Sequence, residues 1–362
     1  MNLNHGHDCS KLAYGWAKKT FPFREGREGM PVLGVDGGFS NIMKFGDELI
    51  GMTSDGIGTK VEIAERTENY RTLGFDLVAM VVDDLIANGL EPVNLSNILD
   101  VDQLDSNIVD ELMHGLYDAA KVAGVAVTGG EIAELGARIS GWGPKMHFNW
   151  CSTAIGVVPK NSKIIDGSLI SEGDAVITLE SPGFRSNGYS LIRKILQKNF
   201  GDSWHLSLVK EGVNAGKKWG EVLLCPCRIY TPILMNLIRE KISLHGIAHI
   251  TGGGIQDNLG RILKNKNLGA NLEKILPPMD YMVELQKLGD IDDKTAYHQW
   301  NMGNGMMLIL PQNEVSKTLT LIKSFDCQAI QAGLITKEPI VRFMSQGVSS
   351  TLISCETAKA GK

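Results

Sequence analysis

The sequence predicts an α+β protein built from two mixed α/β domains. Three observations carry this: a length of 362 residues, strand-like and helix-like segments alternating along the chain, and glycine-rich loops placed directly after strand-like segments. A single hydrophobic core seldom grows past roughly 250–300 residues, so a chain of this length divides. Apolar residues make up 43% and charged residues 21%, the balance of a globular protein. There are 41 glycines, against roughly 25 at average usage, and only 12 prolines. The glycine excess therefore points to loops where backbone approaches a neighbour closely, and not to linkers.

In the first half, 49–53 reads as a strand running into Ser54-Asp55-Gly56-Ile57-Gly58-Thr59-Lys60. A helix over 74–88 follows, rich in Leu, Val, Ile, Met and Ala and closed by Gly89, which suits a left-handed cap. Segment 92–99 is a strand. Segment 107–122 is an amphipathic helix with Ile108, Leu112, Leu116, Ala119 and Ala120 on its apolar stripe, ended by Gly124. A short strand at 125–128 leads into Gly129-Gly130-Glu131, and 150–158 is another strand. The polar stretch 159–174 is the predicted inter-domain connection. The second half follows the same alternation, with strand 175–179, loop 181–188 and helix 189–197, then strand 246–250, loop 251–254 and helix 256–264. Strand 305–310, helix 313–325 and strand 329–335 complete it. The predicted division is 1–30, 31–160, 174–345 and a tail at 346–362. No fixed-period repeat is present.

With 36 basic and 41 acidic residues the net charge is −5, and no basic face is on offer to nucleic acid. No run approaches the ~18 apolar residues of a membrane span, and the polar start carries no apolar signal segment. The expectation is a cytoplasmic protein. Six scattered cysteines fit reduced thiols. Cys225-Pro226-Cys227 lacks a second Cys/His pair at zinc spacing and reads as two small buried side chains.

The chemistry is expected in the glycine loops. Asp55 and Glu131 each follow a predicted strand beside glycines, where a carboxylate is sterically open to a hard cation such as Mg²⁺. The helix at 74–88 holds Asp76, Asp83 and Asp84 in an otherwise apolar stretch. At about 100° per residue Asp76 and Asp83 share a face, and Asp84 points about 80° from Asp76. A buried carboxylate is costly unless paired or bound to metal, so Asp55, Asp84 and Glu131 form a candidate Mg²⁺ cluster. No P-loop and no strand-anchored G-x-G-x-x-G is present. Phosphate would then be held by metal, loop amides and isolated bases such as Lys60. In the second half, Ser186-Asn187-Gly188 opens a helix beside Arg185, and His249 precedes Thr251-Gly252-Gly253-Gly254.

These segments resemble a known family. Ser54 to Lys60, Gly74-Phe75-Asp76-Leu77-Val78-Ala79-Met80 with Asp84-Leu85, and Gly129-Gly130-Glu131 are similar to the aminoimidazole ribonucleotide (AIR) synthases, the phosphoribosylformylglycinamidine cyclo-ligases of purine synthesis. So are Ser186-Asn187-Gly188-Tyr189-Ser190, Cys227-Arg228-Ile229-Tyr230, Ala248-His249-Ile250-Thr251-Gly252-Gly253-Gly254 and Asn301-Met302-Gly303, in family order. The resemblance implies a cytosolic homodimer paired through N-terminal-domain strands, with an ATP-dependent ring closure on formylglycinamidine ribonucleotide. It implies Mg²⁺ on Asp55, Asp84 and Glu131, and ATP on Asp36, Gly37, Gly38, Phe39, Lys60 and Asp76. Substrate would meet Arg185, Ser186, Asn187, Gly188, Thr251 and Gly252, with His249 and Asn187 catalytic. Arg185 stands where the family usually has His; it can bind phosphate but cannot shuttle a proton. The alternatives are a same-fold phosphotransferase acting on another small acceptor (thiamine monophosphate, selenide or a carbamoyl group) and a non-catalytic nucleotide-binding paralogue.

Overall fold

The computed structural model describes residues 3–32 and 38–357, and its strands assemble into two sheets. The first is formed by β1 (Met30–Pro31), β2 (Asn41–Phe45), β3 (Glu48–Gly56), β4 (Glu91–Val101), β5 (Ala126–Glu134) and β6 (Phe148–Val157). Their order is β1-β2-β3-β6-β4-β5, and the β4–β5 pair is parallel while the other neighbours are antiparallel. The second sheet uses β7 (Ala175–Glu180), β8 (Gly246–His249), β9 (Gly269–Leu272), β10 (Asn304–Leu310), β11 (Ala329–Thr336), β12 (Ile340–Met344) and β13 (Leu352–Glu356), in the order β13-β12-β9-β11-β7-β10-β8. Between sheets, 159–174 carries no helix or strand.

The helices are α1 (Leu3–Lys18), α2 (Val61–Thr67), α3 (Leu73–Ala87), α4 (Ser106–Ala123), α5 (Tyr189–Phe200) and α6 (Trp219–Leu223), then α7 (Thr231–Arg239), α8 (Gly254–Leu263), α9 (Asp280–Gly289), α10 (Asp293–Gln299) and α11 (Val315–Lys323). Helix α4 forms where the apolar stripe predicts it. Asp105 caps its start by accepting from the backbone N–H groups of Asn107 and Ile108, and Gly124 ends it at a φ of 73°. Strand β10 is buried at every position and sits between β7 and β8, which is why its sequence is an apolar run with no alternation.

Helix α3 is the hinge of the architecture. It packs against β3 and β6 of the first sheet, and also against β8 and α7 of the second domain. Enclosure on all sides explains its nearly continuous apolar sequence. Each fully buried Leu or Val here contributes roughly 1.5–3 kcal/mol. A helix so enclosed brings its three carboxylates to the boundary between the domains.

Two predicted loops are strand. Strand β5 continues through Gly129 and Gly130 to Glu134, and β3 continues to Gly56. Glu131 therefore lies inside a strand, not in a loop after one. The parallel ladder with β4 holds the glycines extended, and a Cβ on Gly130 would stand 2.6 Å from the Asn97 carbonyl oxygen. The sequence reading also missed α1 and the β2–β3 hairpin.

Candidate active site at the domain boundary

The carboxylates of α3 each reach a different partner. Asp76 and Asp83, which share a helix face, are fully buried, and Asp84 on a neighbouring face is partly open. Lys60 Nζ lies 2.7 Å from Asp76 Oδ1 and also donates to the Cys225 carbonyl at 2.7 Å. The Cys227 N–H donates to the same Asp76 oxygen. Burial opposes the Lys60 charge, but Asp76 outweighs it and raises the ammonium pKa. Asp83 Oδ1 accepts from the backbone N–H groups of Tyr230 and Thr231 and from the Thr231 hydroxyl. Its Oδ2 accepts from Arg185 at 2.9 Å, and Arg185 donates a second bond to the Arg228 carbonyl.

Two expectations change accordingly. Lys60 and Asp76 were expected on ATP, and Arg185 on substrate. Both cations are buried and face carboxylates of α3. The physical reason is the burial of α3: its carboxylates at the boundary require paired charge, and these two cations supply it. Cys227 is buried and Cys225 half-buried, both as free thiols.

Asp84 is different. Its Oδ1 stands 2.8 Å from His249 Nδ1, and Thr53 donates to it from β3. Burial raises its pKa to about 7, against the opposing pull of Arg261 and Arg185. His249 is fully buried; desolvation, with the positive charges of Arg185 and Arg261, lowers its pKa to about 3. The imidazole is therefore neutral. An ionised Asp84 can only accept, so with Asp84 charged Nδ1 carries the proton and Nε2 keeps a lone pair. That Nε2 is buried with no partner. Phe39 closes the other side, its ring centre 6.4 Å from that of His249 and 4.9 Å from the Arg261 guanidinium carbon. The Phe39 and Ser40 amides are fixed by Asn88 Oδ1 at 2.9 and 3.0 Å. Asp36 and Gly37, expected on ATP, lie outside the described residues.

Asp55 points from β3 toward Asp84. The surrounding protein desolvates it, and the negative charge of Asp84 adds to the shift; its own Gly56 amide opposes, and the pKa reaches about 6. Two neighbouring carboxylates that both resist ionisation suit a hard divalent cation, which would relieve both costs. Glu131 does not join them. Asp55 pairs with Ser152, Ser152 with Asn97 and Asn97 with Gly130, so the following residue, Glu131, projects from the opposite face of the sheet. It is also three strands away, roughly 14 Å. Among the described residues no group of three His, Cys, Asp or Glu side chains is placed to hold one metal ion. The expected three-carboxylate cluster is thus reduced, within one chain, to the Asp55–Asp84 pair.

The glycine loops converge on the same place. A Cβ on Gly58 would stand 3.8 Å from the Ser186 carbonyl oxygen, and Thr59 Oγ1 lies 3.2 Å from Ser190 Oγ. A Cβ on Gly252 would stand 3.3 Å from Asn187 Oδ1, while Asn187 Nδ2 is buried without a partner. Ser186, Gly188 and Thr251 border this junction, each partly exposed. Sequence reasoning missed Arg261. The available signal was spacing: Arg261 is seven residues beyond Gly254, which on a helix returns it to the same face.

The two-domain organisation is shared with known proteins. The profile of the AIR synthase related protein N-terminal domain matches residues 38–158, and that of the C-terminal domain matches 171–345. A phosphoribosylformylglycinamidine cyclo-ligase of Thermococcus gammatolerans is 36% identical over 338 residues, covering 93% of this chain and 94% of its own. The chain belongs to the AIR synthase family. A second cyclo-ligase of the family, from Thermococcus kodakarensis, is 37% identical over 332 residues and 92% of both chains. Solved structures share the AIR synthase fold at lower identity. A chain of the HypE-HypF complex matches at a TM-score of 0.62 with 16% identity, over 93% of this chain and 97% of its own. Phosphoribosylformylglycinamidine synthase II of Thermotoga maritima matches at 0.58 with 13% identity, over 91% of this chain and 47% of its own. Among the described residues no helix is long and apolar enough to cross a membrane.

Proposed function

We propose that this chain is a phosphoribosylformylglycinamidine cyclo-ligase, closing the imidazole ring of aminoimidazole ribonucleotide in purine biosynthesis with consumption of one ATP. The observation that carries the reading is the match to cyclo-ligases at 36–37% identity over more than nine-tenths of both chains. In this reaction ATP phosphorylates the formamide oxygen of formylglycinamidine ribonucleotide. The amidine nitrogen then attacks the activated carbon, a proton leaves that nitrogen, and the C–O bond breaks with loss of phosphate, giving ADP and phosphate.

The residues suit distinct parts of that chemistry. The neutral, buried His249 Nε2 accepts a hydrogen bond from the attacking nitrogen and assists departure of its proton, with Asp84 fixing the tautomer through Nδ1. Asn187 Nδ2 is a free donor for a substrate oxygen, held beside Gly252. Asp55 and Asp84 would hold Mg²⁺, which when bound neutralises phosphate charge during transfer. The loop at 36–39 is the proposed nucleotide contact. The outer face of the first sheet exposes Met52, Ile98 and Ile155, which supports homodimer formation through these strands. The proposed division places the N-terminal domain at 31–160 and the C-terminal domain at 174–345, in a cytoplasmic enzyme.

The test is purified protein with formylglycinamidine ribonucleotide, ATP and Mg²⁺, following aminoimidazole product and ADP together. One ADP per ring closed supports the reading. ADP release without imidazole product, in the presence of another acceptor, overturns it.

A further inference from the structure

Three cations act on the carboxylates of α3 at the domain boundary, and two of them are directly paired there. Lys60 is paired with Asp76 and Arg185 with Asp83, both fully buried. Arg261 differs. Among the described residues its guanidinium makes no hydrogen bond and no close ion pair, although the charges of Asp84 and Asp257 act on it from a distance. It is held instead over the Phe39 ring at 4.9 Å, and Phe39 lies beside His249, whose other partner is Asp84. Arg261 is half-buried, so its charge is partly dehydrated yet still reachable. It projects from α8 on the face that begins at Gly254, where the glycine triplet meets Asn187.

A guanidinium in that state is prepared for an anion. Its planar donors match the oxygens of a phosphate in pairs, and partial dehydration strengthens the contact. Stacking on Phe39 fixes its orientation beforehand, so little reorganisation accompanies binding. On the cyclo-ligase reading both substrates carry phosphate. We propose that Arg261 is the phosphate-binding cation of the site, gripping a phosphoryl group of ATP or the ribose 5-phosphate of the other substrate.

The experiment compares wild type with Arg261→Lys and Arg261→Ala, with thermal melting to verify folding. Equilibrium binding of ADP and of ribose 5-phosphate is measured first, because it requires no turnover. At least a tenfold loss for one probe in Arg261→Ala, with smaller loss in Arg261→Lys, supports the assignment and identifies which phosphate is held. Kinetics then separate the roles. A rise in KM for one substrate at constant kcat means ground-state phosphate binding. A 100-fold or larger fall in kcat, partly restored by added guanidinium, means contact with the transferring phosphoryl group. Binding of both probes within twofold of wild type, together with unchanged kinetics, overturns the proposal. A wild type that binds ADP but closes no ring would count against the cyclo-ligase reading alone, with the binding comparison still deciding the role of Arg261.

Discussion

Asp84 Oδ1 lies 2.8 Å from His249 Nδ1, although 165 residues separate the two and each belongs to a different domain. One carboxylate on α3 therefore orients a buried histidine of the C-terminal domain while facing Asp55 of the N-terminal domain. Replacing Asp84 by Asn separates its two properties. The amide oxygen still accepts from Nδ1–H, so the domains should stay docked, while the negative charge offered to a cation disappears. Turnover is expected to fall at least about 100-fold, as when a preorganised charged group is removed from an active site. The melting temperature should move by only a few degrees. Full activity in Asp84→Asn would remove this residue from the proposed cation site.

The Lys60–Asp76 pair is the fully buried counterpart, with 0% side-chain exposure on both partners. Removing one partner leaves an uncompensated interior charge. Lys60→Met should cost about 3–5 kcal/mol, and Lys60→Met with Asp76→Leu together should cost less than Lys60→Met alone. Denaturant unfolding of the single and double variants reads this directly. A double variant less stable than either single one would contradict a pairing role.

How much of this was visible in the sequence depends on the range of the interactions. The helix at α3 and the placing of Asp76 and Asp83 on one face with Asp84 turned away follow from the 100° repeat, which is local information. The destinations of those carboxylates do not. That Asp83 would take Arg185 from a loop 102 residues away is a tertiary fact, and it converts a residue expected on substrate into a structural ion pair. Glu131 shows a second limit. Gly129-Gly130 reads as a turn because glycine favours turns, but the ladder to β4 overrides that preference and sends Glu131 to the far face of the sheet. Arg261 was overlooked because it lies inside a helix and not in a glycine-rich loop; its significance lies in being stacked on Phe39 from 222 positions away.

The glycine triplet gives a prediction about backbone geometry. Gly254 has a φ of 63°, and a Cβ there would stand 1.7 Å from the Tyr297 carbonyl oxygen. Gly254→Ala must displace either α8 or α10, since both contacting groups are backbone. A loss of about 2–4 kcal/mol is expected, from strain in the left-handed region and from the collision together. Because α8 carries Arg261 and follows the loop beside Asn187, phosphate binding should weaken as well. Chemical denaturation alongside ADP and ribose 5-phosphate titrations checks both effects, and an unchanged unfolding midpoint would count against the close approach.

Glu65 supplies the pH dependence. It is buried at 5% exposure, its Oε2 accepts from the Trp142 N–H at 2.9 Å, and desolvation raises its pKa from 4.5 to about 7. The raised value means the folded state binds this proton more tightly than the unfolded state. Its favourable contribution is complete below pH 4.5 and is lost as pH rises through 7. Glu65→Gln keeps the acceptor for Trp142 and removes the charge. The variant should therefore be more stable than wild type above pH 7, on the order of 3 kcal/mol from a shift of this size, with the difference vanishing below pH 4.5. Unfolding free energies measured for both proteins between pH 4 and pH 8.5 give the curve. A stability difference that stays flat across this range, or that grows toward acid, would mean Glu65 is ionised in the folded protein at little cost.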